Sequence, residues 1–304
     1  VNHTADLEAQ HRLRLGERQE LVYGAGYRFI TADVATGPIA AMSQPSHPRH
    51  NVNFFVQDEI TLVPDRMRLT LGTKVEHNTF GGWDYEPGAR LLYTPAAHHT
   101  LWASVARAVR TPTRFEHDGR LTLASSPFGP LNAAGNTGFR SEELLAYELG
   151  WRWQAGPRVS LDTAVFYNDY DHLRTALPPT FNPAGPGVFV PSGSAPLANQ
   201  LHGETYGAEV TVNWQVTDTW RLGANYSWLK EHLFPEVPGL ITDPGAFSQQ
   251  SLFHVQSRLD LPAHLELDAT ASYADRIVSQ KVPGYVRLDV RLGWRPTKRF
   301  ETSL

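Results

Sequence analysis

The chain has 304 residues, a net charge of −4 and no cysteine. The chain lacks the excess of basic residues that would indicate a nucleic-acid partner. Because it has no cysteine, it has neither disulfides nor thiolate metal sites. The mean hydropathy is −0.34, and this average hides a strong alternation of apolar and polar residues. No run of about 18 apolar residues is present, so the sequence predicts no membrane-spanning helix.

The clearest alternation lies at 205–216, where Tyr206, Val210 and Trp214 are separated by polar residues. A strand turns successive side chains to opposite faces, so this stretch has one apolar face and one polar face. The same pattern along the chain predicts about fourteen strands, at 4–16, 20–34, 51–63, 66–79, 83–94, 99–110, 142–155, 158–174, 204–217, 219–232, 249–261, 264–277, 284–295 and from 299.

The connections between these strands alternate in length. The short ones are rich in turn residues and fall at 17–19, 64–65, 95–98, 155–157, 217–218, 262–263 and 296–298. The long ones are rich in Pro, Gly, Ser and Asn, and are expected to be structureless, at 35–50, 111–141, 175–203 and 233–248, with brief members at 81–82 and 278–283. Outer-membrane barrels place short turns in the periplasm and long loops outside, and therefore show this order.

Strand length separates a membrane barrel from a soluble β-protein. Strands of about 12–14 residues are about 40–45 Å long, whereas soluble strands usually have about five or six residues. Aromatic residues near the strand ends, such as Tyr93, Trp151 and Trp294, are typical of the membrane interface. The fold class predicted is all-β, an antiparallel transmembrane β-barrel.

Two charged residues break the alternation. Asp58 lies on the apolar face of 51–63, and Arg107 lies on the apolar face of 99–110. Either a β-bulge changes the register or these parts extend beyond the bilayer, and the sequence leaves both explanations open.

Several motifs resemble those of TonB-dependent outer-membrane receptors. They are NFFVQDEI at 53–60, YEPGARLLY at 85–93, ARAVRTPTR at 106–114, SEELLAYELG at 141–150, YGAE at 206–209 and YVRLD at 285–289. Each motif is weak alone, but the six occur in family order between residues 53 and 289.

The resemblance implies a 22-stranded barrel around an N-terminal plug domain. It implies import of a scarce ligand, often a ferric siderophore, with energy from the TonB–ExbB–ExbD complex acting through the plug. Residues 1–304 then hold about fourteen strands, with the plug and the first and last strands absent, and we expect both ends to be truncated. The expected location is the outer membrane of a Gram-negative bacterium, in contact with lipid and lipopolysaccharide.

Ligand contacts are expected from the loops and the upper lumen. The candidates combine aromatic faces with arginine forks suited to anionic oxygens: Trp83, Tyr85, Arg110, Arg114, Phe115 and His117. For each of them, packing at the base of a loop is an alternative role.

Enzyme and metal chemistry find little support in the sequence. The 13 histidines form no tight ligand motif, and no G-x-S-x-G or phosphate-binding loop is present, so no catalysis, cofactor or metal is predicted.

Charged residues of the polar faces are expected to line a wet lumen. A passive porin-like channel and a soluble all-β binding or carbohydrate-active protein remain the alternatives, and cobalamin, haem, nickel or oligosaccharide remain open as ligands.

Overall fold

The computed structural model describes residues 2–34, 36–126, 129–185, 188–237, 248–297 and 299–304. These residues form eighteen strands, one five-residue helix and a single 3-10 turn at Pro262–His264. Among them, no helix has the length and apolarity needed to cross a bilayer.

Fourteen strands form a single antiparallel wall in which each strand pairs with the next, as the sequence predicts. They are β1 (Asn2–Leu15), β2 (Gln19–Ala32), β4 (Arg49–Val63), β5 (Met67–Asn78), β6 (Gly82–Ala96), β7 (His99–Arg110), β10 (Glu142–Gln154), β11 (Val159–Ala176), β13 (Val188–Gln215), β14 (Trp220–Pro235), β15 (Ser251–Leu261), β16 (Leu265–Ala274), β17 (Tyr285–Thr297) and β18 (Phe300–Ser303).

The long connections differ from the expectation of structureless loops. Three of them contain regular structure: β3 (Ala40–Met42), helix α1 (Arg114–Asp118), β8 (Gly119–Ser126), β9 (Gly129–Ala134) and β12 (Thr180–Gly185). Strand β13 begins at Val188, well before the predicted start at 204, and its first part leaves the wall to join these elements. Pairing between distant loops stabilises this structure, and no local sequence period reports it.

The register confirms that apolar and charged side chains occupy opposite faces of the wall. Trp214 and Val290 are 46% and 59% exposed, and Leu222 is half-buried, so none of the three lies in a protein core. All the buried apolar residues among those described lie at the long-loop end of the molecule. The apolar face of the wall is therefore a lipid-facing surface, and the charged face lines the lumen.

The two residues that break the alternation keep the regular register. Asp58 pairs with Leu21 and Leu71, with no bulge between Arg49 and Ile60, and it accepts a hydrogen bond from Gln19 at 3.3 Å. Arg107 pairs with Leu145 on the outer face. It lies near the long-loop end of β7, which agrees with extension beyond the bilayer, whereas Asp58 is a polar residue within the apolar face.

The wall is not closed by the residues described. Strand β1 pairs only with β2, and β18 pairs only with β17. Every residue of β1 is exposed. Two edges therefore present unpaired backbone groups, which are costly in a membrane.

Candidate functional site

The long loops form a second sheet at one end of the wall, which we call the loop layer (residues 36–47, 111–141 and 177–200, as far as described). Strand β8 pairs with both β3 and β9. The first part of β13 pairs with β9 in parallel and with β12 antiparallel. Three separate loops thus contribute to one sheet. Because long loops face the outside in outer-membrane barrels, the loop layer lies at the extracellular mouth.

Helix α1 is set at the base of the loop layer by a capping box. The Thr113 side chain accepts a hydrogen bond from the Glu116 backbone N–H, and the Glu116 carboxylate accepts one from the Thr113 N–H at 2.9 Å. This arrangement satisfies two backbone donors at the start of a helix. It also brings the Glu116 side chain back towards the barrel wall.

Glu116 is completely buried and joins two loops. Arg110 donates to both of its oxygens at 2.8 and 3.0 Å, and Arg174 donates to Oε1 at 3.2 Å. Arg110 also binds Glu142 at 2.6 and 2.7 Å. Burial opposes ionisation of Glu116, but hydrogen bonds from Arg110 and Thr113 outweigh it and lower its pKa to about 2. The ionised carboxylate therefore holds the ends of β7 and β11 against α1.

Arg114 joins α1 to the first long loop. It is 7% exposed and donates to the carbonyls of Ala32, at 3.0 Å, and Gln44. Its Nε lies 3.8 Å from the Asp118 carboxylate. The sequence predicts Arg114 as a ligand contact, yet its donors are directed to the protein itself.

Phe115 and His117, the other predicted site residues on α1, are half-buried. The His117 ring packs on Phe80 with ring centroids 4.7 Å apart, and the His47 ring packs against Phe80 at 5.2 Å and lies 6.3 Å from His117. These contacts belong to the small apolar core beneath the loop layer.

Trp83 and Tyr85 lie apart from this cluster. Both occupy the face of β6 that carries Leu91 and Tyr93, and they are 63% and 59% exposed. Tyr85 contacts Arg107, whose guanidinium carbon lies 4.3 Å from the ring centroid. Four of the six predicted residues therefore meet at the base of the loop layer, and these two face outward at its rim.

Sequence reasoning missed Glu116, Glu142 and Arg174 as members of this site. The capping-box spacing of Thr113 and Glu116 is visible in the sequence, and it would have predicted α1. Nothing local predicts that Arg174, which is 58 residues away from Glu116 in the chain, donates to it.

The lumen face of the wall carries charged residues of both signs, as the sequence predicts. Examples are the ion pair of Arg152 with Asp162 and the contacts of Lys74 with Glu76 and Glu86. The register places on this face Arg68, Lys74, Glu76, Arg90, Glu148, Arg152, Glu209, Arg221, Arg258, Asp260, Glu266, Asp268, Arg287, Asp289 and Arg291.

Aromatic residues also lie flat on the lumen face, each over a glycine of the paired strand. Trp102 pairs with Gly150, and a Cβ built on Gly150 would lie 2.2 Å from the indole. Phe166 covers Gly207 in the same way. Covering a glycine by an aromatic ring pins strand register and keeps the ring out of the lumen.

The histidines are dispersed over the wall, the loops and the turns. Within the described part of the chain, no group of three or more His, Cys, Asp or Glu side chains has an arrangement that could hold a metal ion.

Comparison with known families agrees with the fold. A family described as "TonB dependent receptor-like, beta-barrel" matches residues 1–304. The chain belongs to the TonB-dependent receptor β-barrel family. As a member of this family it is an outer-membrane protein of Gram-negative bacteria, and the family consists of receptors and transporters and not of enzymes.

Curated relatives in this family carry iron-related names. The "Iron-regulated outer membrane virulence protein" of Vibrio cholerae is 27% identical over 178 residues, which cover 57% of this chain and 26% of that protein. The "Ferric enterobactin receptor" of Pseudomonas aeruginosa is 23% identical over 229 residues, which cover 73% of this chain and 30% of that protein.

Solved structures of the family share the fold. The siderophore receptor PirA from Pseudomonas aeruginosa matches with a TM-score of 0.77 at 17% identity, covering 98% of this chain and 51% of that chain. A mutant ferric enterobactin receptor in complex with enterobactin, from the same species, matches with a TM-score of 0.75 at 18% identity, covering 98% of this chain and 47% of that chain. The aligned segments thus make up between about a quarter and a half of the length of these proteins, and this chain spans about half of the solved structures.

Proposed function

We propose that this chain is part of an active-transport receptor that binds a ferric siderophore at its extracellular loops and imports it with energy from TonB–ExbB–ExbD. The observation that carries the proposal is the family match over all 304 residues. Relatives named for iron regulation and ferric enterobactin support the ligand class. A folded loop layer over the mouth of the wall supports binding at the outside.

We further propose that the fourteen strands belong to a larger, 22-stranded barrel that encloses a plug through which TonB acts. Two observations support this: β1 and β18 each have an unpaired edge, and the solved structures are about twice as long as this chain. The apolar outer face is proposed to contact membrane lipid, with lipopolysaccharide around the exposed Trp83 and Tyr85 at the rim.

At the base of the loop layer, Arg174 of β11 is a cation placed to contact an anionic ligand. Its side chain is 58% exposed and gives one hydrogen bond to Glu116, so most of its donors face solvent. Arg110 is fully engaged by Glu116 and Glu142. We therefore assign Arg110 and Arg114 to holding the loops, and keep Phe115, His117, Trp83 and Tyr85 as candidate contacts.

Transport in the intact receptor tests the function. Cells that express it should accumulate radiolabelled ferric siderophore only when TonB is present. A porin-like channel would instead admit small solutes by diffusion, with conductance in planar bilayers and no dependence on TonB. TonB-independent uptake that follows the solute gradient would overturn the proposal in favour of the channel.

Ligand binding to the same cells tests the site. Arg174→Ala should weaken siderophore binding about tenfold or more, because a charge-assisted hydrogen bond contributes about 1.5–3 kcal/mol. Arg158→Ala is the matched control, since Arg158 lies beside a short turn at the opposite end of the wall, paired with Asp218. Equal affinities for both variants would remove Arg174 from the site.

A further inference from the structure

Two β-bulges interrupt the pairing of β11 with β13 close to the loop layer. Strand β11 carries one extra residue between Tyr170 and Leu173, and β13 carries one extra residue between Ala198 and Leu201. The two extra residues compensate each other, so the strands pair again beyond them. A bulge changes the direction of the side chains beside it. Because Arg174 lies just after the first bulge, the geometry of the bulges decides where its side chain points.

The backbone of the first bulge has a conformation that residues other than glycine rarely adopt. His172 has a φ of 55°, which lies in the left-handed region, and its N–H donates to the carboxylate of Asp171 at 2.8 Å. A residue in this region costs free energy and persists only when its surroundings hold it there. The position of Arg174, two residues later, therefore depends on the contacts that hold His172.

The side chain of Asn199, in the second bulge, holds His172 from the opposite strand. Its amide nitrogen donates to the carbonyl oxygens of His172, at 2.6 Å, and of Arg140, at 3.1 Å. Its amide oxygen accepts a hydrogen bond from the Arg140 N–H at 2.8 Å. Asn199 is half-buried. These three bonds need both the donors and the acceptor of an amide, which apolar side chains lack.

The two segments that Asn199 joins both lead into the charged cluster at the base of the loop layer. Arg140 lies two residues before Glu142, and His172 lies two residues before Arg174. The segments meet where the Arg174 backbone N–H donates to the Glu142 carboxylate at 2.8 Å. Because Asn199 binds both segments, it fixes the position of Arg174 relative to Glu142, while the Arg174 side chain remains exposed.

We propose that Asn199 is a positioning residue for ligand capture, which acts through Arg174 by holding the backbone that carries its guanidinium. A charge-assisted hydrogen bond depends on direction. A flexible arginine loses conformational entropy when it binds a ligand, and a fixed backbone beneath it reduces this loss. The inference rests on the proposed siderophore function and adds a residue that acts on the ligand only indirectly.

A double-mutant cycle tests this role, with binding of ferric siderophore to cells that express the intact receptor. Asn199→Ala should lower the affinity about fivefold, less than Arg174→Ala, because the guanidinium is present but no longer held. The double variant should bind as weakly as Arg174→Ala alone, since no guanidinium is left to position. The number of binding sites per cell should stay the same. Asn199→Ser, which keeps one hydroxyl donor, takes the place of Asn199→Ala if that variant reduces the number of sites.

Asn132→Ala is the matched control, because Asn132 is also a half-buried asparagine of the loop layer, but its amide oxygen accepts from Thr122. This variant should leave the affinity unchanged. If Asn199 had a purely structural role, the two losses would multiply in the double variant. That result would overturn the proposal, as would an unchanged affinity in the Asn199 variant. Failure of the siderophore function is distinguishable, because the unmutated receptor would then bind no ferric siderophore, and both proposals would fall.

Discussion

In the barrel wall Val290 is 59% exposed, whereas Glu116 in the loop layer has no exposed surface. The wall is one residue thick, and its backbone ladder and the membrane around it hold it together. The loop layer instead has its own small core, with charged groups buried inside it. The same chain therefore uses lipid to accommodate apolar residues in one region and protein to accommodate charged residues in another.

The largest expected effect is in the loop layer. Glu116→Gln should destabilise it by about 3–5 kcal/mol, because Arg110 and Arg174 lose a buried counter-charge. Hydrogen exchange of the intact receptor should rise in segments 40–46 and 114–122 and stay unchanged in β15 and β16. Glu59→Gln is the control, since Glu59 forms an ion pair with Arg68 on the open lumen face that is worth about 0–1 kcal/mol. Equal protection in both variants would show that Glu116 does not organise the loops.

Acid should act on the same group. The pKa of Glu116 is lowered from 4.5 to about 2, so its contribution to stability is complete above pH 4.5 and is lost as the pH falls towards 2. A spin label in place of Leu121 on β8 should become mobile over this range. In Glu116→Gln the label should be mobile already at pH 6, and an immobile label at pH 2 in the unmutated protein would contradict the assignment.

The wall should respond to charge on its outer face. Val290→Arg should destabilise the receptor in lipid vesicles by about 2–4 kcal/mol, because it places a cation among lipid chains. Thr270→Arg is the matched control, since Thr270 lies on the lumen face of the neighbouring strand, paired with Asp289. Urea unfolding followed by gel mobility measures both. If Thr270→Arg proved the more harmful of the two, the two faces would have been assigned the wrong way round.

The smallest expected effect on stability is at the aromatic rings of the lumen face that cover glycines. Gly150→Ala should push Trp102 off the wall and into the lumen, at a cost of about 1 kcal/mol. Quenching of tryptophan fluorescence by iodide should then be stronger in Gly150→Ala than in the double variant Gly150→Ala with Trp102→Phe. Gly223→Ala should change nothing, because the nearest atom to its Cβ would be Asn213 Oδ1 at an ordinary 3.7 Å.

The sequence by itself determined the barrel wall. An alternation of period two reports directly which residues face lipid, so the fourteen strands, the order of short and long connections and the charged lumen could all be predicted. The register of Asp58 could not be predicted, because a β-bulge and a polar residue within the apolar face leave the same pattern in the sequence.

Only the tertiary structure decided the loop layer and its site. The contact of Arg174 with Glu116 joins residues far apart in the chain, and the parallel pairing of β9 with the first part of β13 joins two loops. Neither leaves a local period. The predicted site residues could be chosen by type, but only the structure shows that Arg114 donates inward to backbone carbonyls. The outward face of Trp83 and Tyr85, by contrast, follows from the period-two pattern of β6. Function in the loops depends on long-range contacts, and a single sequence records only neighbours along the chain.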